Sequence, residues 1–141
     1  MCLERLRTVL IVEDEAYIAM AIEDALEGTG YVCCGTAATE VEALRLCAAY
    51  MPDMAVLDIN LGPGGSGLNV GRELSARGVA ILYASGNCLG LEREMAEAGA
   101  HAYLTKPYAL ADLPLALQAV ARLHRGQPLT GAAPVSFHLL S

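Results

Sequence analysis

The chain has 141 residues, of which 16 are Asp or Glu and nine are Lys or Arg, so its formal net charge is −7. This length suits one domain with its own hydrophobic core and leaves too little chain for a second catalytic or DNA-binding domain. The acidic balance argues against direct nucleic-acid binding, because neutralising phosphates requires a basic face. Lys106 is the only lysine, and the other eight cations are Arg.

Short apolar runs alternate with longer stretches of helical periodicity, which is typical of βα units around a parallel sheet. Five strands are predicted, at Thr8 to Val12, Tyr31 to Gly35, Met54 to Asp58, Val79 to Ser85 and His101 to Thr105. Five helices are predicted to follow them, at Glu15 to Glu27, Thr39 to Tyr50, Leu68 to Arg77, Leu89 to Ala98 and Leu110 to His124. The pattern predicts an α/β domain over residues 1–124, a doubly wound five-stranded parallel sheet with helices on both faces.

Residues 125–141 are too few to form a domain. They contain two Gly and two Pro and end in the apolar run Val135-Ser136-Phe137-His138-Leu139-Leu140. We interpret them as a carboxyl-terminal tail. It is either frayed and disordered, or it binds a partner or covers an edge of the sheet.

The cysteines and the amino terminus bear on the cellular compartment. Cys2, Cys33, Cys34, Cys47 and Cys88 are odd in number and lack metal-ligand spacing, which favours reduced thiols in a cytosolic protein. Residues 1–7 lack the continuous apolar stretch of a signal peptide, and no uninterrupted apolar window of about 18 residues occurs in the sequence. We therefore expect a cytoplasmic protein with no membrane partner.

Chemically versatile side chains stand at the ends of the predicted strands. Glu13 and Asp14 follow the first strand and Asp58 ends the third. Ser85 ends the fourth strand and Lys106 follows the fifth. In an open parallel α/β sheet, ligands bind at the carboxyl ends of the strands. These five residues are therefore the candidate site.

Their chemistry points to a phosphoryl group. Carboxylates that meet at one edge repel each other, and Mg²⁺ relieves that repulsion with oxygen ligands while it leaves positions for phosphate oxygens. Lys106 and the Ser85 hydroxyl would supply further favourable contacts to an anion. A carboxylate can attack phosphorus to give an acyl phosphate, so Asp58 is the candidate nucleophile.

Four motifs carry a family resemblance: Leu10-Ile-Val-Glu-Asp-Glu15, Val56-Leu-Asp-Ile-Asn-Leu61, Leu82-Tyr-Ala-Ser-Gly86 and Ala102-Tyr-Leu-Thr-Lys-Pro-Tyr108. At these motifs the chain resembles the receiver domain of two-component response regulators, over about residues 7–124. The resemblance is to chemotaxis-like receivers of the stand-alone, single-domain type. It implies a flavodoxin-like fold with strand order 2-1-3-4-5.

The resemblance also implies roles for single residues. Asp58 would accept a phosphoryl group from a sensor histidine kinase or a histidine phosphotransfer protein. Asp14, Asp58 and the backbone carbonyl of Asn60 would bind Mg²⁺ directly, and Glu13 would hold a metal-bound water. Lys106 would contact the phosphoryl group, with a cis peptide bond to the following proline.

A switch is implied as well. Ser85 would turn toward the phosphoryl group, and the aromatic Tyr103 would move inward in response. A downstream protein would then read the face formed by the fourth helix, fifth strand and fifth helix, in a monomer or a homodimer. The chain would not be an enzyme with a separate substrate, since it would promote only its own Mg²⁺-dependent phosphorylation and dephosphorylation.

One departure and two alternatives accompany this interpretation. The loop from Gly62 to Gly67 is about one residue longer than the common family form, with Gly62 where proline is usual. A haloacid-dehalogenase-type phosphohydrolase would use a similar Asp, Ser and Lys, but it requires a second Asp where this chain has Asn60, and a cap domain. A phosphorylation-independent, receiver-like adaptor is the other alternative.

Overall fold

The secondary structure comes from a computed structural model that describes residues 7–86, 88–131 and 133–140. The strands are β1 (Thr8–Val12), β2 (Val32–Ala37), β3 (Met54–Leu57), β4 (Ala80–Ser85), β5 (Ala102–Thr105) and β6 (Phe137–Leu139). The helices are α1 (Ala16–Leu26), α2 (Glu40–Tyr50), α3 (Gly67–Ala76), α4 (Glu92–Glu97) and α5 (Asp112–His124). A short 3-10 turn, Gly62–Gly64, lies between β3 and α3.

The strands form one sheet in the order β2-β1-β3-β4-β5-β6. The first five are parallel and have the predicted order 2-1-3-4-5, whereas β6 runs antiparallel to β5. The predicted five-stranded parallel sheet is therefore confirmed, and β6 adds a sixth strand that was not predicted. The addition has a physical reason, because β6 pairs with backbone groups at the β5 edge and buries Phe137.

Apolar side chains cover both faces of the sheet. Alternate residues of β1 point to opposite faces, so Leu10 and Val12 join one core cluster while Val9 and Ile11 join the other. The first cluster packs under α2, α3 and α4, and the second packs under α1 and α5. Full burial of one such side chain contributes roughly 1.5–3 kcal/mol. The core thus fixes the strand ends on which the polar site is built.

Local signals explain where the second helix begins. Thr39 is the N-cap of α2, and its hydroxyl oxygen accepts a hydrogen bond from the Glu42 N–H at 3.1 Å. This half of the capping box matches the sequence pattern. The Glu42 carboxylate accepts its hydrogen bond from the N–H of Ala38, one residue before the cap. The start of α2 is therefore fixed beside the loop that follows β3.

The amino-terminal six residues, including Cys2, lie outside the described residues, so the predictions made for them are not addressed. Cys33, Cys34, Cys47 and Cys88 are free thiols. Burial raises the pKa of the Cys88 thiol to about 11. Across the described ranges, no helix combines the length and the apolar character needed to cross a membrane.

Candidate functional site

The pairing of β1 with β3 brings the first acidic residues together. Val12 lies opposite Leu57 in the parallel ladder, and Asp58 donates its backbone N–H to the Val12 carbonyl at 2.9 Å. Glu13 and Asp58 are the next residues of the two strands, so both leave the sheet at the same edge. Asp14 follows directly. The register of two buried strands therefore positions these side chains.

Glu13, Asp14 and Asp58 form a compact carboxylate cluster. Each offers one oxygen, and these oxygens all lie within 4.8 Å of one another. Glu13 is buried, Asp58 is half-buried and Asp14 is exposed, so the cluster extends from the protein interior to solvent. Such a set of hard oxygen donors fits a divalent cation such as Mg²⁺, which binds through one or two carboxylates and keeps several waters.

Lys106 supplies the positive charge beside this cluster. Its Nζ lies 3.3 Å from Oε1 of Glu13 and 3.6 Å from Oδ2 of Asp58. The ammonium is therefore shared between two carboxylates that belong to different strand ends. Among the described residues, these two contacts are the only ion pairs.

The pKa shifts reflect this crowding. Burial raises the pKa of Glu13 to about 7, with a further rise from the Asp58 charge, and the hydrogen bond from the Glu15 N–H together with Lys106 only partly offsets both. Burial works to lower the pKa of Lys106, but the charges of Asp58 and Glu13 outweigh it and the pKa is raised. The site thus favours the charged form of Lys106 and disfavours the charged form of Glu13.

Backbone donors orient Asp58 and its loop. Oδ1 of Asp58 accepts a hydrogen bond from the Ile59 N–H at 2.8 Å, while Oδ2 faces Lys106. The Asn60 side chain turns back on the loop and accepts the Gly62 N–H at 2.8 Å. At the far end of the loop, the Glu40 carboxylate of α2 accepts the Ser66 N–H at 2.6 Å. The loop after β3 is therefore fixed to a neighbouring helix.

Ser85 lies at the adjacent strand end. It is buried at the end of β4 and pairs in register with Thr105 of β5. The backbone N–H of Lys106 donates to the Ser85 carbonyl at 3.3 Å. The peptide bond between Lys106 and Pro107 is cis, as the resemblance implied. Ser85 and Lys106 thus leave the sheet side by side.

Tyr103 makes its side-chain contacts with α4 and β6. Its hydroxyl donates to Oε2 of Glu92 in α4 at 3.2 Å, and its ring stacks on His138 of β6 at a centroid distance of 5.0 Å. Only 8% of its surface is exposed. Tyr103 therefore lies between α4 and the added strand.

Three residues that support the site were missed by sequence reasoning. A Cβ at Gly67 would collide with the backbone carbonyl of Asp58. The buried Tyr83 hydroxyl donates to the Gly67 carbonyl at 2.9 Å, and a Cβ at Gly71 would collide with that hydroxyl. A glycine in a helix is the only sequence signal here. Its reason appears only once α3 is packed against β3 and β4.

The family model described as the response regulator receiver domain matches residues 9–118. The chain belongs to the response regulator receiver domain family. The match includes the carboxylate cluster, Ser85 and Lys106. It stops before the tail that contributes β6.

Curated relatives agree with the family assignment. This receiver domain is 33% identical over 128 residues to the transcriptional regulatory protein PdtaR of Mycobacterium tuberculosis, which covers 89% of this chain and 62% of that protein. It is 37% identical over 122 residues to the two-component response regulator PhoP of Pseudomonas aeruginosa, with coverage of 84% and 53%. The chain thus spans between half and two thirds of the length of these relatives.

Solved structures share the fold. A CheY-like receiver domain protein from Methanospirillum hungatei superposes with a TM-score of 0.77 at 25% identity, covering 86% of this chain and 98% of that one. A response regulator from Burkholderia pseudomallei, described with a phosphorylated aspartic acid and a calcium ion, gives a TM-score of 0.73 at 27% identity. That likeness covers 85% of this receiver domain and 71% of the solved chain.

Proposed function

We propose that this receiver domain accepts a phosphoryl group on Asp58 from a sensor histidine kinase or a histidine phosphotransfer protein. One observation carries the proposal: the Asp58 carboxylate belongs to an acidic cluster that fits a divalent cation, and its Oδ2 lies 3.6 Å from the ammonium nitrogen of Lys106. With a cation bound in the cluster, Asp58 would have positive charge from both the metal and Lys106, which suits phosphoryl transfer because charge must be neutralised at the equatorial oxygens.

The residues divide the chemistry among them. Asp58 attacks phosphorus to form an acyl phosphate, while the bond between phosphorus and the imidazole nitrogen of the donor breaks and the freed imidazole takes up a proton. The Ile59 N–H holds the carboxylate in one orientation during the attack. Lys106 contacts the transferred group, and Ser85 turns toward it afterwards. Hydrolysis of the acyl phosphate returns Asp58 to its starting form.

The donor set supports a magnesium site. Asp14, Asp58 and the Asn60 carbonyl would hold Mg²⁺, and Glu13 would hold one of its waters. Bound there, the cation would neutralise charge on the phosphoryl oxygens. A bound cation would also offset the unfavourable negative charge of the buried Glu13 carboxylate. The carboxylates therefore act as binding and charge-tuning groups, and Asp58 alone acts as the nucleophile.

We further propose that the signal leaves by protein contact in the cytoplasm. The free thiols among the described residues suit a reducing compartment. The downstream protein would bind the face made by α4, β5 and α5, which includes Tyr103 of β5. The receiver domain would act as a monomer or a homodimer and would turn over no separate substrate.

The test is phosphorylation with acetyl phosphate and Mg²⁺, read by intact mass. We expect one hydroxylamine-labile phosphoryl group in the natural chain and none in Asp58→Asn. Asp24→Asn is the matched control, because Asp24 is an exposed carboxylate of α1 outside the cluster. Equal labelling of Asp58→Asn would overturn the proposal.

Two further measurements, partner binding and phosphatase turnover, test the two alternatives. A phosphorylation-independent adaptor would bind its partner equally well with and without acetyl phosphate. A phosphohydrolase would turn over a phosphate monoester steadily. Such an enzyme needs a second Asp at the position that Asn60 occupies here. The Asn60 side-chain oxygen already accepts a hydrogen bond from the Gly62 N–H, so a general acid/base role at this position is disfavoured.

A further inference from the structure

The carboxyl-terminal residues 133–140, here called the cover segment, lie on the surface proposed for the downstream partner. β6 extends the sheet beyond β5. Two backbone hydrogen bonds flank the three-residue ladder, from Thr105 N–H to the Ser136 carbonyl at 3.1 Å and from Leu140 N–H to the His101 carbonyl at 2.9 Å. The edge of β5 is therefore occupied by this chain's own strand.

Side chains of the cover segment reach both faces of the sheet. Phe137 is buried in the cluster under α1 and α5. Leu140 packs against the opposite cluster, and with Leu139 it borders a groove along α4 that includes Glu92 and Ala96. A partner protein that docks on α4 and β5 would have to displace these contacts.

The hold on β6 is nevertheless weak. A strand of three residues offers few ladder bonds, and 58% of Leu139 and 98% of Val135 remain exposed. The buried Ser136 hydroxyl has no hydrogen-bond partner among the described residues. A buried polar group without a partner opposes docking. The cover segment is therefore bound by a few contacts whose loss would release it.

One of those contacts is the ring of Tyr103. It stacks on His138 with an angle of 25° between the ring planes, and its hydroxyl is held by Glu92. Tyr103 and His138 also pair directly across the β5–β6 ladder. If Tyr103 turns toward the site, the stacking with His138 and the hydrogen bond to Glu92 are lost together. The switch residue and the cover segment thus share one contact.

We propose that the cover segment occludes the partner surface of this receiver domain and is released when Tyr103 leaves His138. The coupling to phosphorylation rests on the proposed function, because the acyl phosphate at Asp58 is what would move Tyr103. Without the acyl phosphate, β6 covers the β5 edge and the α4 groove. With the acyl phosphate, β6 is released and the β5 edge is open to the downstream protein.

The experiment is residue-resolved amide exchange by NMR on the full chain, with the Thr105 and Leu140 amides as reporters of β6. His138→Ala removes the ring contact, and Val135→Ala is the matched control in the same segment because its side chain is exposed. We expect about two- to thirteenfold faster exchange in His138→Ala, the range of an aromatic pair, and no change in Val135→Ala. Equal exchange in the two variants would overturn the role of the ring contact.

The coupling is tested by loading the chain with Mg²⁺ and beryllofluoride, with binding followed separately by ¹⁹F NMR. We expect faster exchange of the same two amides, an unchanged Val56 amide in β3, and little further gain when His138→Ala is loaded. Unchanged Thr105 and Leu140 amides in a fully loaded chain would overturn the coupling and leave the proposed function intact. Failure of beryllofluoride to bind would overturn the proposed function instead. The comparison of His138→Ala with Val135→Ala would still test whether the Tyr103–His138 ring contact holds β6 on the sheet.

Discussion

Lys106 places its ammonium nitrogen 3.3 Å from Oε1 of Glu13, although 93 positions separate the two residues in the chain. The contact joins the end of β5 to the end of β1 across the intervening strands. It also sets the charge balance of the site, because Glu13 is buried and repelled by Asp58. Removing either side chain should therefore change the stability of the fold.

Replacing Lys106 with Met should weaken both the fold and the chemistry. Glu13 and Asp58 would lose their shared counter-charge, so we expect the free energy of unfolding in Mg²⁺-free buffer at pH 8 to fall by about 1–3 kcal/mol. The rate of phosphorylation by acetyl phosphate should fall about a hundredfold. Urea unfolding and intact mass measure the two effects. Arg93→Met, which removes an exposed cation from α4, should change neither, and an unchanged rate in Lys106→Met would count against its role.

The pH dependence of stability should carry the signature of Glu13. Its pKa rises from 4.5 to about 7 on folding, so the folded chain binds the proton more tightly and stability falls as pH rises from about 4.5 to about 7. Glu13→Gln cannot lose that proton and should be more stable than the natural chain at pH 8, by about 1–3 kcal/mol, in Mg²⁺-free buffer. Urea unfolding at pH 5 and pH 8 checks this. The same change in the free energy of unfolding between pH 5 and pH 8 in the natural chain and in Glu13→Gln would contradict this prediction.

Magnesium should stabilise the folded chain by mass action. At about 100 times its dissociation constant, the ion should raise the free energy of unfolding by about 2.7 kcal/mol. Asp14→Asn should lose most of this gain because it removes a proposed ligand, whereas Asp24→Asn should retain it. Thermal unfolding with MgCl₂ or EDTA gives the comparison. A gain of the same size in Asp14→Asn would show that the ion binds elsewhere.

Gly67→Ala should disrupt the start of α3. The added methyl group meets the Asp58 carbonyl, which is backbone and cannot rotate away. We expect a loss of several kcal/mol of stability together with slower phosphorylation, because the loop must shift next to Asp58, the proposed acceptor. In the control variant Gly35→Ala, the methyl group meets only the flexible Leu46 side chain at 3.3 Å and should cost less than about 1 kcal/mol. Equal stability of the two variants would contradict the close approach.

Tyr83→Phe should have a smaller effect on the same loop. It removes the hydroxyl that donates to the Gly67 carbonyl inside the protein, at an expected cost of about 1–2 kcal/mol. Tyr17→Phe is the matched control, because that side chain is 88% exposed. Urea unfolding of both variants distinguishes the loss of a buried hydrogen bond from the loss of an exposed hydroxyl group. If both variants unfold alike, the hydroxyl contributes no stability.

The sequence predicted the strands that position the site because their apolar runs are long and bounded by clear turn residues. It also predicted that polar residues of distant strands meet, since parallel strands end at one edge of a sheet. The prediction placed Asp58 within the third strand, whereas β3 ends at Leu57, so Asp58 stands just beyond the ladder. The fourth helix was predicted at Leu89 to Ala98 and is shorter, Glu92–Glu97.

The remaining features depend on contacts that no local pattern encodes. β6 is three residues long and owes its existence to the β5 edge and to a core space for Phe137, both made by elements far away in sequence. The need for glycine at Gly67 and Gly71 arises from backbone and hydroxyl groups of other elements. Long-range contacts of this kind become visible only in three dimensions.

The single lysine gives the chain an experimental handle at the centre of its chemistry. Apart from the terminal amine, Lys106 is the only primary amine that acylating or reductively methylating reagents can modify. Because its Nζ touches both Glu13 and Asp58, the modification rate would report on the state of those carboxylates without an engineered probe. A ¹³C-methyl label would give a single lysine resonance beside that of the terminal amine, and its shift would follow occupancy of the site in real time.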